Sequence, residues 1–556
     1  MRERTMTPRN DIYRVAVIGF GPRGLGAVEA LAGLADTTGA CVHLDIFDTS
    51  DAPGAGPNFD PEETPLCLLN VPVRDVDLPH PIGSFANFSD WLAPENHPDR
   101  FPTRAELGRY FTARRDHLCD TLPTGLTIAF HDCDVSHIAP VDGRWQVSAG
   151  EHATGRYDEV LVTVGQPATQ PDDQLARWQE HAADTGAELA QVYPARDLMQ
   201  RAEAWAGKTV GMRGLGLSTM DALRVLTFGQ GGDWRDDRYV PSGREPGLIV
   251  PFSLDGQPPA PKPATVQVDA QFDPTDAETE GFRHALDTAS NEGPDAIITK
   301  VCKALIAPTA RISGAHPDKV AHWLECERNA PGSQETRAPL DALRAGLDEA
   351  TGRAAPSVGY AVGHVWRKWQ NDLRKLFNPA KCLPDTAEAL IGFDEGLKRY
   401  SYGPPVSAAR ELLALCEAGL VTLAAADDPD IACTEHGWTL HGNSSAALRI
   451  DAMVDTVLPS PKLKAVTGDP VQDLHDAGLL SSVPGVGGTL TAADAQVMRS
   501  DGSPVSGLYL LGRLALGSVI AVDSIHDCFG AASHRWAEGV QNRAARAATR
   551  EPALSS

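Results

Sequence analysis

Short, wholly apolar runs that end in glycine recur along the chain and mark its organisation. In the first, residues 15–18 (Val-Ala-Val-Ile) are apolar without alternation, as expected of a strand buried on both faces. Gly19, Gly21 and Gly24 follow at once, and then Ala27, Ala30, Leu31 and Leu34 recur at helical spacing. A second run, 41–47, ends at Asp48 and completes a βαβ start. Residues 208–232 repeat the design: a strand, Gly214-Leu-Gly216, and a helix carrying Met220, Leu223 and Leu226. A third apolar run, 507–530, predicts another buried strand, a glycine turn and a last helix from near Asp523 to about Arg546. The intervening segment opens on a proline-rich stretch. Its apolar positions Ile297, Ile298, Val301 and Leu305, and then Val362, Trp366, Trp369, Leu373 and Leu376, keep helical spacing. Strands return around 421–423 and 452–458.

The pattern predicts an α/β protein with two Rossmann-type dinucleotide-binding folds and a mostly helical insertion. The expected division is 12–190 for the first nucleotide-binding unit, 191–261 for the second, and 262–405 for the insertion on the substrate side. Residues 406–460 then return to the second unit and 461–545 complete the first.

Gly19-Phe-Gly21-Pro22-Arg-Gly24 is a G-x-G-x-x-G sequence in the context that gives it meaning. Gly19 permits the tight turn, Gly21 admits a pyrophosphate to the backbone, and Gly24 lets helix and strand pack closely. The helix N-terminus supplies free N–H groups and positive potential. Asp48, at the end of the next strand, is placed to accept hydrogen bonds from an adenosine ribose; Asp45 competes but lies inside the strand. The run 159–164 ends in Gly165-Gln-Pro167, a strand of the kind that returns beneath a flavin-binding domain.

Composition narrows the partners. The 556 residues carry 49 basic and 74 acidic side chains, a net charge of −25. Such a surface repels phosphate backbones and anionic membranes, so neither nucleic acid nor a membrane is an expected partner. The polar N-terminus lacks the apolar core of a signal peptide, which predicts a cytoplasmic protein. Ten cysteines are dispersed with no C-x-x-C pair. That argues against disulfide-reductase chemistry and zinc ribbons, and no spaced ligand set predicts a metal. Self-association stays open.

The GFGPRG fingerprint, Leu68-Leu-Asn70-Val-Pro72, Phe101-Pro-Thr-Arg104 with Tyr110, and the strand before Gly165 resemble the bacterial FAD-NAD(P)-binding flavoproteins. Tyr239-Val-Pro-Ser-Gly243-Arg-Glu-Pro246, Tyr402-Gly-Pro-Pro405 and Leu510-Leu-Gly512-Arg513 extend the resemblance over most of the chain. Better-understood relatives of that family are flavin-dependent N-hydroxylases, including aspartate N-monooxygenases that make nitrosuccinate. The resemblance implies FAD in the first unit and NADPH or NADH in the second. It implies a monooxygenase that N-hydroxylates a small amine or amino acid with O2, through a flavin C4a-hydroperoxide. L-aspartate oxidation toward nitrosuccinate is the sharpest version. An FAD oxidoreductase or oxidase without oxygen insertion, and a non-catalytic redox sensor, are the alternatives. The ketone-oxygenating fingerprint F-x-G-x-x-x-H is absent at 85–91.

The second glycine turn is weaker. Thr219 stands where a third glycine is usual, and Arg213 precedes the first. The expected coenzyme contacts are Gly214, Gly216 and Ser218. After the next strand, Phe252-Ser-Leu-Asp255 lacks the arginine that would meet a 2′-phosphate, although Arg213 or Arg244 could substitute. Asn70 belongs to the segment expected near the flavin ring. Arg104 could meet phosphate or flavin, or form an ion pair. Gly512 and Asp523 are expected on the flavin side, with Arg513 where relatives often carry Asp. No catalytic residue is fixed; Asn70, Arg399 and Tyr402 are the candidates, Asn70 being alternatively a turn before Pro72 and the last two either lining a substrate cavity or belonging to a rigid proline-directed turn. Lys300 and Lys303 form either a carboxylate-binding pair or a solvated face. His80 and His526 receive no catalytic role. A diacid would require at least two cationic anchors, which the sequence does not identify.

Overall fold

In the computed structural model, residues 12–549 are described except 36–38, 94–96, 151–152, 237, 290, 378–382 and 443–446. The first apolar run forms β1 (Tyr13–Ile18), followed by α1 (Pro22–Leu34) and β2 (Val42–Phe47). β1 is central in a six-stranded sheet whose order is Gln496–Met498, Pro504–Leu510, Glu159–Val162, β1, β2, Leu126–His131. All neighbours are parallel except the edge strand Gln496–Met498. Both faces of β1 are covered, which is why its sequence does not alternate. Val15 and Val17 pack with Leu25, Val28 and Leu31 of α1 and with Trp536 and Val540 of the C-terminal helix. Ala16 and Ile18 pack with Ile138, Trp145 and Val147 from an antiparallel three-stranded sheet on the other side. Each large apolar side chain so buried contributes about 1.5–3 kcal/mol.

The second sheet is four-stranded and parallel, in the order Leu248–Phe252, Thr209–Arg213, Ala452–Asp455, Glu188–Gln191. The strand Glu188–Gln191 corrects the expected boundary at 190, which would cut through it. The preceding helix Asp173–Thr185 also sides with the second unit, because Trp178 packs on Val250 and Phe252. The strand expected at 421–423 is reduced to single bridges, Ile249 with Val421 and Ser253 with Asp427. Thr422 accounts for this: its hydroxyl accepts the Ala424 N–H and bends the chain off the ladder.

The insertion is helical. The two predicted apolar faces meet, Ile297, Ile298, Val301 and Leu305 sharing one core with Val362, Trp366, Trp369 and Leu373. They sit on the helices Pro294–Ser313, Val358–Lys368 and Gln370–Phe377, with Trp369 at the junction of the last two. The helix expected from 523 to 546 is two helices, Ile525–Cys528 and Ala531–Thr549. The break follows from α1, which abuts it: a side chain at Gly26 would fall 2.2 Å from the Cys528 carbonyl. The Asp527 carbonyl also accepts a bond from the Arg23 guanidinium at 2.5 Å.

Candidate active site

The first glycine turn has the geometry its sequence calls for. Gly19 has φ +83, and a Cβ there would lie 2.9 Å from the Thr163 carbonyl. Gly24 allows α1 to close on the turn, since a Cβ would lie 2.9 Å from the Gly19 carbonyl. Thr163, just past the strand Glu159–Val162, donates its hydroxyl to the Gly19 carbonyl at 2.5 Å and fixes the turn from below. Gly21 is the N-cap of α1 and Pro22 its first residue. This leaves the first-turn N–H groups pointing outward. Asp48 accepts the Phe20 N–H through one oxygen and the Ser50 N–H through the other at 2.7 Å. Each oxygen keeps lone-pair capacity for a ribose hydroxyl. Asp45 is not available for that contact. Burial alone would raise its pKa, but bonds from His131 and Arg14 more than offset this and leave it lowered.

The sequence reading missed a second glycine pair. Gly54 and Gly56 have φ +97 and +66, and a Cβ on Gly21 would lie 3.6 Å from the Gly56 Cα. Two backbones bare of side chains thus face one another where a pyrophosphate is expected. The signal was present as Pro-Gly-Ala-Gly-Pro at 53–57. Gly165 (φ +70) is exposed, with open space beside it. Gly512 (φ +108) stands above Arg23, and Leu511 donates to the Val162 carbonyl at 3.0 Å. Gly19, Gly21, Pro22, Gly24, Asp48, Gly165 and Gly512 therefore gather at the carboxyl end of one sheet, the usual place for a nucleotide.

The second turn is intact despite its departure from the motif. Gly214 has φ +113, and Gly216 is the N-cap of the helix Leu217–Leu226. Nothing lies within 4 Å of a Cβ on Gly216, so a ligand can reach that backbone. Thr219, in place of a third glycine, bonds the Thr456 hydroxyl at 2.9 Å, and Thr456 bonds the Arg213 carbonyl at 2.7 Å. The helix is thereby fastened to the turn by a hydrogen bond instead of by bare contact. Ser218 lies in the first helical turn, half-buried. Arg213 is not free for a 2′-phosphate, because it pairs with Asp172 at 2.5 Å and with Asp455 at 3.5 Å. Asp255 instead lies beside Ser253, whose hydroxyl it accepts at 2.9 Å.

A narrow recess lies between the units, where Asn70 and Arg104 meet Leu217 and Met220 of the second helix and Pro404 and Pro405 of the insertion. Arg104 does not present its charge as a phosphate ligand. Its guanidinium pairs with Asp221 at 3.2 Å and bonds the Tyr193 hydroxyl at 3.2 Å, joining the two units. The Asn70 carbonyl accepts a bond from the ammonium of Lys262, a residue sequence reasoning passed over because nothing in a proline-rich stretch marks a buried lysine. Burial, reinforced by the nearby Arg367, lowers the Lys262 pKa to about 7 against the pull of Asp75 and Asp269. His526 bonds the Asp75 carbonyl at 2.8 Å. Burial and the Arg374 and Lys262 charges push its pKa down, so it is neutral near pH 7.

The other candidates separate. Asp523 pairs with Arg513 at 3.1 Å and reaches Lys398 of the insertion at 3.5 Å. Arg513 in turn donates to the Gln166 side chain at 2.5 Å, so this arginine ties the loop after Gly512 to the loop after Gly165. Tyr402 lies under the Lys398 ammonium, 5.6 Å from its ring centre, and burial pushes its hydroxyl pKa up. Arg399 faces away from this group. It reaches Asp255 and the Gly332 carbonyl, each at 3.4 Å, and lines a separate, larger cleft of about 280 Å³ with Trp323, Tyr360 and Tyr400. Lys300 pairs with Glu292 at 2.7 Å and Lys303 is exposed, a solvated face and not a carboxylate site. Among the described residues no group of three or more potential metal ligands forms, and no helix is long and apolar enough to cross a membrane.

Comparison with known proteins agrees with this geometry. A family model described as FAD-NAD(P)-binding matches residues 16–167. A nitrosuccinic acid synthase of Aspergillus oryzae is 30% identical over 268 residues, 44% of this chain and 40% of that protein. An L-aspartate N-monooxygenase (nitrosuccinate-forming) of Streptomyces davaonensis is 26% identical over 304 residues, 45% of this chain and 46% of that protein. The matched stretches thus span less than half the length of these relatives. Among solved structures, the ornithine hydroxylase of Pseudomonas aeruginosa superposes with a TM-score of 0.50 at 12% identity, covering 96% of this chain and 99% of that one. The FAD-bound cadaverine monooxygenase of Erwinia amylovora gives 0.50 at 10% identity, covering 96% and 95%. At such identities these two share the fold. Residues 16–167 thus match the FAD-NAD(P)-binding family model, and the chain shares the two-unit fold of those two flavin monooxygenases.

Proposed function

We propose that the protein is an FAD- and NAD(P)H-dependent monooxygenase that N-hydroxylates a small amine or amino acid, and that L-aspartate, oxidised toward nitrosuccinate, is its substrate. One observation carries the reading. Two glycine turns open the carboxyl ends of two parallel sheets, and the helix that follows the second turn borders, through Leu217 and Met220, a recess shared with Asn70, Arg104, Pro404 and Pro405. The two curated relatives, both named for nitrosuccinate formation, supply the substrate.

FAD bound in the first unit supplies electron acceptance from the coenzyme and activation of O2. The protein's own part is placement. Gly19, Gly21 and the N–H groups of α1, with Gly54 and Gly56 opposite, would hold a pyrophosphate, and Asp48 a ribose. Gly214, Gly216 and Ser218 would hold the coenzyme pyrophosphate. The intact second turn, with Thr219 bonded to Thr456, favours coenzyme binding over a decayed fold kept for packing. The test is substrate-dependent NADPH or NADH oxidation by FAD-loaded protein with a panel of amino acids. An N-oxygenated product from aspartate supports the reading. Oxidation that yields only peroxide with every amine favours an oxidase instead.

A further inference from the structure

The cleft that Arg399 borders has no part in the function proposed above, and it shares no lining residue with the recess. It measures about 280 Å³ and lies between the proline-rich segment 258–261 and the helices Pro317–Asn329, Pro339–Ala350, Val358–Lys368 and Pro384–Ser401. Glycines bring these walls together. A Cβ on Gly359 would lie 2.9 Å from the Trp323 ring and 3.0 Å from the Tyr400 ring, and one on Gly346 would lie 3.0 Å from the Pro261 ring. Trp323 meets Tyr400 edge to face, with ring centres 5.6 Å apart. The Tyr360 hydroxyl donates to the Pro261 carbonyl at 2.8 Å and ties its helix to the proline-rich segment.

Two polar side chains that line this cleft are more than nine-tenths buried and have bonding capacity left over. Glu349 is 8% exposed; one carboxylate oxygen accepts the Ser357 N–H at 2.7 Å, and among the described residues no cation pairs with it. Burial pushes its pKa up. Tyr400 is 7% exposed, and among the described residues its hydroxyl has no hydrogen-bond partner. The cations of the cleft are already answered or face water. Arg337 forks onto Glu335 at 2.6 and 2.8 Å, Arg399 reaches Asp255 and the Gly332 carbonyl, and Lys319 is exposed. A carboxylate taken out of water without a cation is unfavourable, and a cation arriving from solution relieves it. Aromatic faces attract the same kind of ligand, and a net charge of −25 raises the local concentration of cations. We propose that this cleft binds a small organic amine, its ammonium paired with Glu349 and donating to the Tyr400 hydroxyl, its carbon chain lying against Trp323, Pro258, Pro259 and Pro261. The site is separate from both glycine turns. The proline-rich segment nevertheless leads from it to the recess, where the next residue, Lys262, reaches the Asn70 carbonyl.

The probe is n-butylammonium, with butyrate as an anion of the same chain length. Each is titrated into the oxidised, FAD-loaded protein and followed by calorimetry and ligand-detected NMR. The variants are Glu349→Gln, Trp323→Ala and, as a control, Glu325→Gln, which removes an exposed acid from the helix that carries Trp323. The expected result is one saturable butylammonium site in the wild type and weaker binding of butyrate. Glu349→Gln keeps the shape of the side chain and an oxygen to accept the Ser357 N–H, and should weaken butylammonium by about thirtyfold or more. Trp323→Ala should weaken it by about fivefold, and Glu325→Gln should leave it unchanged. Melting curves establish that the variants fold; if Glu349→Gln does not, Trp323→Ala and the preference for the cation over butyrate carry the test. A wild type that binds no butylammonium, a Glu349→Gln protein that binds it as tightly, or a preference for butyrate would overturn the proposal. No coenzyme, O2 or turnover enters these titrations. Their failure would leave the monooxygenase reading standing, and the absence of an N-oxygenated product would leave the amine site standing.

Discussion

At the scale of single residues, the glycines divide into those that serve packing and those that serve a ligand, and substitution tells them apart. Gly24→Val would drive a branched side chain into the Gly19 carbonyl and the Phe20 ring, 2.9 and 3.0 Å from its Cβ. Overpacking of this kind costs roughly 1–3 kcal/mol, so both the melting temperature and the retained flavin should fall. Gly216→Ala meets nothing within 4 Å and has φ −94, which alanine adopts freely. Its melting temperature should stay unchanged while the KM for the coenzyme rises, measured by steady-state kinetics. Lys262 makes a third case. Its pKa falls from 10.5 to about 7 because burial disfavours the ammonium. Below pH 7 folded and unfolded chains both carry the proton, and the cost of burying it is fully present. Between pH 7 and 10.5 only the unfolded chain holds the proton, so the cost fades as pH rises. Lys262→Met should therefore be more stable than the wild type, by roughly 1–4 kcal/mol at pH 6, with the gap closing toward pH 10. Denaturant titrations at a series of pH values measure this. The glycine turns were legible in the sequence because a φ near +90 and a close approach leave glycine little competition. Lys262 was not, because a lysine carries no local mark of burial.

Elements show where local pattern stops being informative. The strands at 13–18 and 209–213 and the helices after them were readable from spacing alone, and both lie where predicted. The boundary expected at 190 falls inside the strand Glu188–Gln191, whose place is set by pairing with Ala452–Asp455, far along the chain. The single C-terminal helix split because Arg23 and α1 impose on its first turn, again a long-range effect. The loop after Leu248–Phe252 carries a prediction of its own. Ser253 and Asp255 take the place of a phosphate-binding arginine, and Leu254 is 86% exposed. With Arg213 already paired, the proposed monooxygenase should favour NADPH over NADH by less than about tenfold, and Leu254→Arg should raise kcat/KM for NADPH selectively. Equal gains for both coenzymes would show that this loop does not read the 2′-position.

Across the whole molecule, charged contacts among the described residues tie the two nucleotide-binding units together. The Arg104, Asp221 and Tyr193 group joins them near the recess, and Glu63 accepts the Ala195 and Arg196 N–H groups at 2.9 and 3.0 Å. Arg104 was read from sequence as either a cofactor contact or an ion pair. Its partner lies 117 residues away, and only the folded chain decides between them. Arg104→Leu leaves Asp221 buried without its cation and should lower stability by roughly 3–5 kcal/mol, seen as an earlier urea midpoint. The flavin content of the protein that remains folded should not change, which would distinguish an interdomain tie from a flavin contact. The most direct test of the whole account is coenzyme oxidation by the FAD-loaded protein in the presence of O2 and L-aspartate, with hydroxylamine and nitrite products assayed alongside. Aspartate-dependent oxidation with an N-oxygenated product is the predicted result. A yellow protein that neither NADPH nor NADH can reduce would contradict it.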